Sequence, residues 1–353
     1  MSSKDVVSFI ATPDMMPLAQ SVRRIILGAS KASFPAKDDC AIREVIPIEF
    51  ERFADGVSLP QIQSSIRRTE VYVFYSPPRG RPDLGFAELT KILDATYGGS
   101  PVSIKLVLPN FWEGRADRKP KPRVSMNAQK LAILIDEYAE GLFTFDLHAE
   151  QILLAFRKSR VDNLKGQPLL AEYCVTALGW KPEEVGIVAA DGSSVKRAEM
   201  FAEVSGFPVK GFVYKERKEA NAAKAKRYIG EPLNGLHVLM SDDIIDTAGT
   251  LVSSGQIVLE AGAKSVTACT THWEASPKAP ASGDPGLLTA ENKLRHAGIK
   301  VIALNTIPRP EDYLHENADF LTMIPCDHML AGAIMASLTP GASVSELSEK
   351  KKK

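Results

Sequence analysis

The chain has 353 residues, 44% hydrophobic and 24% charged, which at roughly 100–200 residues per domain points to two domains of ordinary globular composition. Lysine plus arginine and aspartate plus glutamate both number 43, so no overall charge draws the molecule to nucleic acid or an anionic membrane. Any basic site has to be local. In chain order, short β-branched runs alternate with longer helical patterns: VYVFY (71–75), VSIKLVL (102–108), LFTFD (142–146), VGIVAA (185–190), LHVLMSDD (236–243), SVTACTTH (265–272) and IKVIALN (299–305) read as buried strands. NAQKLAILIDEYAEG (127–141) and GTLVSSGQIVLEAGAK (249–264) carry apolar residues at helical spacing, the second stopped by AGA. Such alternation predicts an α/β fold whose mainly parallel sheets are covered on both faces by helices. A loop over 276–288, rich in Pro, Gly and Ser, and a charged tail, SELSEKKKK, complete the pass. The N-terminus lacks the apolar run of a signal peptide, and no apolar stretch approaches the roughly 18 residues of a membrane helix. Cys40, Cys174, Cys269 and Cys326 stand far apart, against a zinc ribbon or a disulfide scaffold and in keeping with a reducing compartment. A cytoplasmic protein is expected.

The stretch VLMSDDIIDTAGTLV (238–252) carries chemistry. With a strand over 238–241 and a helix over 250–261, DIIDTAGT is the loop between them, at the carboxyl edge of a parallel sheet where ligands of this class sit. The backbone N–H groups of Thr247, Ala248, Gly249 and Thr250, the two threonine hydroxyls and the helix N-terminus form a nest for a phosphate, with Gly249 letting the backbone come close. Asp242 and Asp243 are suited to accept hydrogen bonds from vicinal sugar hydroxyls, and Asp246 to support the loop or a reacting hydroxyl. Phosphate plus diol describes a ribose phosphate. A plain acidic helix cap is the alternative.

DDIIDTAGT (242–250) resembles the phosphoribosyl pyrophosphate (PRPP) loop shared by type I phosphoribosyltransferases and ribose-phosphate pyrophosphokinases. FTFDLHAEQI (143–152) followed by VDNL (161–164) resembles the pyrophosphokinases' strand and turn with an Asp-Leu-His-Ala signature, which ordinary phosphoribosyltransferases lack. PNFWEGRADRK (109–119) is similar to their arginine-and-aspartate ATP motif, and FADG (53–56) to their adenine loop. LNTIP (304–308) and SVSEL (343–347) also correspond, so the resemblance to the ribose-phosphate pyrophosphokinase (PRPP synthetase) family runs over nearly the whole chain.

The resemblance implies two tandem type I phosphoribosyltransferase-type domains. Residues 1–165, joined by a C-terminal helix over 326–345, would form the ATP side, and residues 166–325 the ribose 5-phosphate side. The implied reaction moves the β,γ-pyrophosphoryl group of ATP to the anomeric hydroxyl of ribose 5-phosphate, with Mg2+, in a homo-oligomer built on dimers, up to a hexamer. By the same resemblance Phe53 stacks on adenine, Asp55 reads its amino edge, Arg115 and Asp117 lie near the triphosphate, and His148 binds nucleotide phosphate or metal. Asp191 reaches the sugar or the metal, and Lys215 and Arg217 on a mobile loop stabilise the transition state. From the residues alone, 213–227 reads equally as a solvated charged helix, Phe53 as core and His148 as a buried histidine. Departures from the family pattern at Val57, Ala116 and Gly192–Ser194, extra sequence between about 30 and 46, and an unusual SPPRGRPDLGF (76–86) surround the pockets. They leave two other readings, a pyrophosphokinase acting on a larger 5-phosphoribosyl compound such as ADP-ribose and a non-catalytic regulatory homologue.

Overall fold

A computed structural model describes residues 5–30, 40–215, 226–276 and 289–344. Contacts divide the chain into two units, one running up to Leu164 and resuming at Asp327, the other Lys165–Cys326.

The first unit opens with β1 (Asp5–Ala11), α1 (Met16–Gly28), β2 (Cys40–Ile42), β3 (Ile46–Arg52), β4 (Ser58–Ile62) and β5 (Glu70–Phe74). It continues through α2 (Gly85–Gly98), β6 (Ser103–Val107), α3 (Asn127–Tyr138), β7 (Gly141–Phe145) and β8 (Arg160–Leu164). The sheet order is β4-β3-β1-β5-β6-β7-β8, with β2 paired to β1 on the same side as β3. Every pairing is parallel except the β3–β4 hairpin, which leaves β4 at the edge, where Pro60 withdraws no donor that an inner strand would need. Val71 to Tyr75 are fully buried, as a two-face-covered parallel strand requires.

The second unit comprises α4 (Gln167–Ala177), β9 (Val185–Ala189), α5 (Val195–Ser205), β10 (Val209–Lys215), β11 (Lys226–Gly230), β12 (His237–Ile245) and α6 (Gly249–Glu260). β13 (Ser265–Trp273), α7 (Ala290–His296), β14 (Lys300–Leu304), α8 (Glu311–Glu316) and β15 (Leu321–Ile324) follow. The order is β11-β10-β9-β12-β13-β14-β15, again parallel except for the β10–β11 pair at the edge. At the β9–β10 seam the register shifts by one residue between Val209 and Gly211; a Cβ on Gly211 would lie 2.2 Å from the Ile229 carbonyl oxygen, so the close approach needs glycine.

The chain then returns to the first unit through α9 (Asp327–Leu338), whose residues from Met329 to Met335 are buried almost all round. α9 packs on α1, where the Ser21 hydroxyl donates to Asp327 Oδ2 at 2.5 Å, and Ser337 Oγ meets Tyr72 Oη of β5 at 2.8 Å. No helix among the described residues is long and apolar enough to cross a membrane.

The structure corrects one expectation from the sequence. Residues 213–215 and 226–227 belong to β10 and β11, not to a charged helix, because the sheet supplies partners that a polar sequence does not announce; 216–225 lie outside the described residues. So do the 277–288 loop and the tail from 345. Cys174 and Cys269, 95 residues apart, are brought to 3.6 Å between sulfurs by the packing of α4 on β13, both free and buried.

Candidate active site

At the carboxyl edge of the second sheet, β12 runs on through Asp242 and Asp243 to Ile245, so Asp243 to Ile245, which the sequence also allowed to open the loop, stand on the strand. The extension is held by its neighbour: Asp242 pairs in register with Thr270 of β13, and Thr270 Oγ1 donates to the Asp243 carbonyl at 3.1 Å. Gln167, 3% exposed at the start of α4, donates to the Asp242 carbonyl at 3.5 Å and accepts from the Ser241 hydroxyl. Successive strand residues point to opposite faces, yet one cation reaches both acids. Arg197 places Nη1 2.8 Å from Asp242 Oδ1 and Nη2 3.0 Å from Asp243 Oδ1. Burial, with the Asp243 charge adding to it and Arg197 opposing, pushes the Asp242 carboxyl up to about 7.

Sequence reading missed Arg197. The one available signal was its position: it is the third residue of α5, where a cation runs against the helix dipole and needs a local acid. Asp191 precedes the same helix. Its Oδ1 accepts from the backbone N–H and the hydroxyl of Ser194 at 3.2 and 3.1 Å, so Ser194, a departure from the family pattern, closes the turn that aims this aspartate.

Between β12 and α6 only Asp246, Thr247 and Ala248 remain. The chain turns at Ala248, with φ 56° and ψ 2°, a left-handed conformation costing an L-residue about 1–2 kcal/mol. Gly249 already begins the helix, and a Cβ there would meet nothing within 4 Å. The Ala248 carbonyl accepts the first helical bond from Val252 at 2.9 Å, so the N–H groups of Gly249, Thr250 and Leu251 lack intrahelical partners. Thr247, Gly249 and Thr250 are exposed. An exposed turn that leads into three N–H groups without intrahelical partners, with two hydroxyls beside them, has the chemistry to hold an anion.

In the first unit, Phe53–Val57 is the tip of the β3–β4 hairpin. Phe53 N donates to the Val57 carbonyl at 2.9 Å, Val57 N to Asp55 Oδ1 at 3.0 Å, and Gly56 takes φ 88°. Asp55 thus shapes its own turn, while Phe53 is 56% exposed and is not core. Arg115 and Asp117 follow β6, and His148 follows β7, at the same carboxyl edge. The two connections touch: a Cβ on Gly114 would sit 3.4 Å from His148 Cβ, and Gln151 Nε2 donates to Asp117 Oδ2 at 2.6 Å. Beneath them Trp112 packs edge-on against Tyr75 and Phe86 at about 6.0 and 5.9 Å. Asp146, at φ 32°, turns the chain so that Arg115 and His148 both stand exposed, and His148 is not a buried histidine.

Lys215 ends β10, with its backbone in the ladder opposite Lys226; Arg217 lies outside the described residues. His272 is a satisfied core residue, 4% exposed with Nδ1 2.9 Å from Thr306 Oγ1. Thr306 donates to the Thr271 carbonyl at 2.7 Å and Asn305 Oδ1 accepts from Cys326 N at 2.8 Å, so LNTIP is a joint between β13, β14 and the segment before α9. Among the described residues no three His, Cys, Asp or Glu side chains gather as a ready metal site.

Residues 16–138 match the family described as the N-terminal domain of ribose phosphate pyrophosphokinase. A ribose-phosphate pyrophosphokinase of Staphylococcus saprophyticus is 32% identical over 275 residues, 77% of this chain and 81% of that protein. One from Caldanaerobacter subterraneus subsp. tengcongensis is 34% identical over 304 residues, 85% and 89% of the two chains. The crystal structure of phosphoribosylpyrophosphate synthetase from Mycobacterium smegmatis superposes with a TM-score of 0.74 at 28% identity, covering 95% of this chain and 99% of that one. With a full-length fold match and identity of this extent, the chain belongs to the ribose-phosphate pyrophosphokinase family of enzymes.

Proposed function

We propose that the protein makes PRPP. The anomeric hydroxyl oxygen of ribose 5-phosphate bonds to the β-phosphorus of ATP, the bond from that phosphorus to the α,β-bridging oxygen breaks, and AMP leaves with the electron pair. Such a transfer asks the protein for alignment and for positive charge more than for a nucleophile. In this reading the second unit binds the sugar phosphate and the first binds ATP. The N–H groups from Ala248 to Thr250, with the hydroxyls of Thr247 and Thr250, hold the 5-phosphate. Asp242 and Asp243 accept from the ribose diol, Arg197 holds the two acids in place, and Asp246 supports the turn. Phe53 stacks on adenine beside Asp55, Arg115 and His148 meet phosphate, Asp117 stands near the triphosphate, and Lys215 with Arg217 supplies cations to the transition state.

Magnesium suits the oxygen donors present. It uses one or two carboxylates and completes its shell with substrate phosphates and water, which fits Asp191 and a site without three gathered acids. His148, an imidazole, suits a phosphate better than magnesium. When bound, the ion would neutralise phosphate charge.

What supports this reading most is the juxtaposition, on one sheet edge, of an acidic pair held by Arg197 and an exposed anion-binding turn three residues further on. The test is AMP release from ATP and magnesium with ribose 5-phosphate or ADP-ribose as acceptor. Release with ribose 5-phosphate alone is expected; release with ADP-ribose alone would show a larger acceptor, and release with neither would remove the enzymatic reading. Thr250→Val should weaken ribose 5-phosphate binding by about 1–3 kcal/mol for a lost hydroxyl partner and leave a non-hydrolysable ATP analogue unaffected in titration calorimetry.

A further inference from the structure

Lys293 lies on α7, and nothing in the sequence marks it: a lysine in a short polar helix ordinarily reads as a solvated surface residue. Its ammonium nitrogen nevertheless donates to the Thr247 carbonyl at 3.0 Å, directly before the left-handed residue Ala248. Thr247 C=O and Ala248 N–H are the two ends of one planar trans peptide and point in opposite directions. A cation that fixes the carbonyl therefore fixes where the N–H points, and its charge polarises that N–H for an anion.

The placement of Lys293 is built into the fold. Leu294 is fully buried and Ala290 is 2% exposed, which sets the face that α7 turns inward. The Thr289 hydroxyl caps the helix by accepting from Asn292 N at 3.3 Å. A chain of hydrogen bonds anchors the first turn: Trp273 Nε1 donates to Tyr313 Oη at 2.9 Å, and Tyr313 Oη donates to Glu291 Oε1 at 2.7 Å. With rotation about the helix axis locked this way, Lys293 meets the β12–α6 turn by construction. The turn also needs holding, because an alanine left to itself leaves the left-handed region.

We infer that Lys293 is a positioning residue for the phosphate-binding turn: it holds the Thr247–Ala248 peptide with its N–H toward the 5-phosphate of the sugar substrate. This deepens, and rests on, the reading of that turn as the sugar-phosphate site. No covalent step is involved.

Titration calorimetry of ribose 5-phosphate onto full-length protein, with a non-hydrolysable ATP analogue and magnesium present, tests it on the wild type and four variants. Lys293→Met should weaken ribose 5-phosphate about tenfold, change the ATP analogue less than twofold and leave the Tm within about 2 °C. Lys293→Arg should return to within threefold of the wild type. Ala248→Gly, which removes the penalty on a left-handed residue, should recover part of the loss in the Lys293→Met background. Thr250→Val separates the two layers of the inference. If Thr250→Val binds ribose 5-phosphate like the wild type, the turn is not the phosphate site and the role of Lys293 falls with it. If Thr250→Val weakens binding and Lys293→Met does not, Lys293 alone is overturned. Equal weakening of both ligands by Lys293→Met, or no recovery with Ala248→Gly, would also overturn it.

Discussion

Apart from β2, which has no counterpart, the two units share one topology: β4-β3-β1-β5-β6-β7-β8 in the first corresponds to β11-β10-β9-β12-β13-β14-β15 in the second. α9 lies against α1 as α4 lies against α5. What differs is the connection after the matching central strands. In the second unit β12 ends in an acidic pair, and a connection of residues 246–248 leads directly into a helix. In the first, β5 is apolar to its end, and residues 75–84, rich in proline, make a long bridge that packs on Trp112. A short left-handed turn exposes the N–H groups of a helix start, whereas a long bridge covers that edge with side chains. One scaffold therefore sets an exposed helix-start turn beside an acidic pair in one unit and, in the other, gathers exposed residues at the hairpin tip and on the connections after β6 and β7.

Matched positions sharpen the contrast. The largest effect should come from the strand entering the β10–β11 hairpin. Lys215→Ala is expected to lower kcat by about 10²–10⁴ with little change in ribose 5-phosphate affinity, because a cation recruited in the transition state contributes to rate and not to ground-state binding. Equal losses in the two would make it a binding residue, and its hairpin no different from the β3–β4 tip.

A smaller effect, on stability, should mark the acidic edge. Arg197→Met leaves Asp242 and Asp243 facing each other without their cation, and should cost about 2–3 kcal/mol in a urea titration, reduced from the fully buried case because the side chains of Arg197 and Asp242 remain 26% and 30% exposed. An unchanged midpoint would mean that the acids are independently solvated.

A further effect is in pH dependence. Since folded Asp242 holds its proton up to about 7, the native chain binds more protons than the unfolded one between the ordinary carboxylate range and pH 7. Its contribution to stability is thus fully present below that range and is lost as pH rises through 7, at no more than about 1.4 kcal/mol per pH unit for one proton. Asp242→Asn should flatten that part of the Tm–pH curve relative to the wild type. The first unit has a carboxyl of opposite sign: Asp136 accepts backbone N–H bonds from Arg157, Lys158 and Ser159, which overcome the upward push of burial and hold its carboxyl below the usual range. Its contribution is present at neutral pH and is lost on acidification, so Asp136→Asn should lower the Tm at neutral pH and flatten the acid limb.

Periodicity was enough to read seven parallel strands and two helices, because runs such as VYVFY and VGIVAA are covered on both faces and carry that burial in their composition. It missed β1, β2, β3, β4, β8, β10, β11 and β15. IPIEFER alternates, SLPQI contains a proline and VKGFVYK ends in charge; the first and last become strands by pairing with β1 and β9, and SLPQI by its hairpin with β3. The duplication was legible through the family resemblance and not through periodicity: strand order repeats while the residues do not.

By itself the sequence determined the family, the α/β alternation, the acidic pair followed by a threonine turn, and the placement of candidate residues at the ends of strands. These are local patterns, set by periodicity and by residue types that few other chemistries require together. The tertiary structure alone decided that Arg197 bridges Asp242 and Asp243, that Lys293 reaches the turn from 46 residues away, that Ala248 and not Gly249 takes the left-handed backbone, and that Cys174 meets Cys269. Each depends on which helix packs beside which strand, and that choice is made by the burial of the whole core and by no short stretch within it.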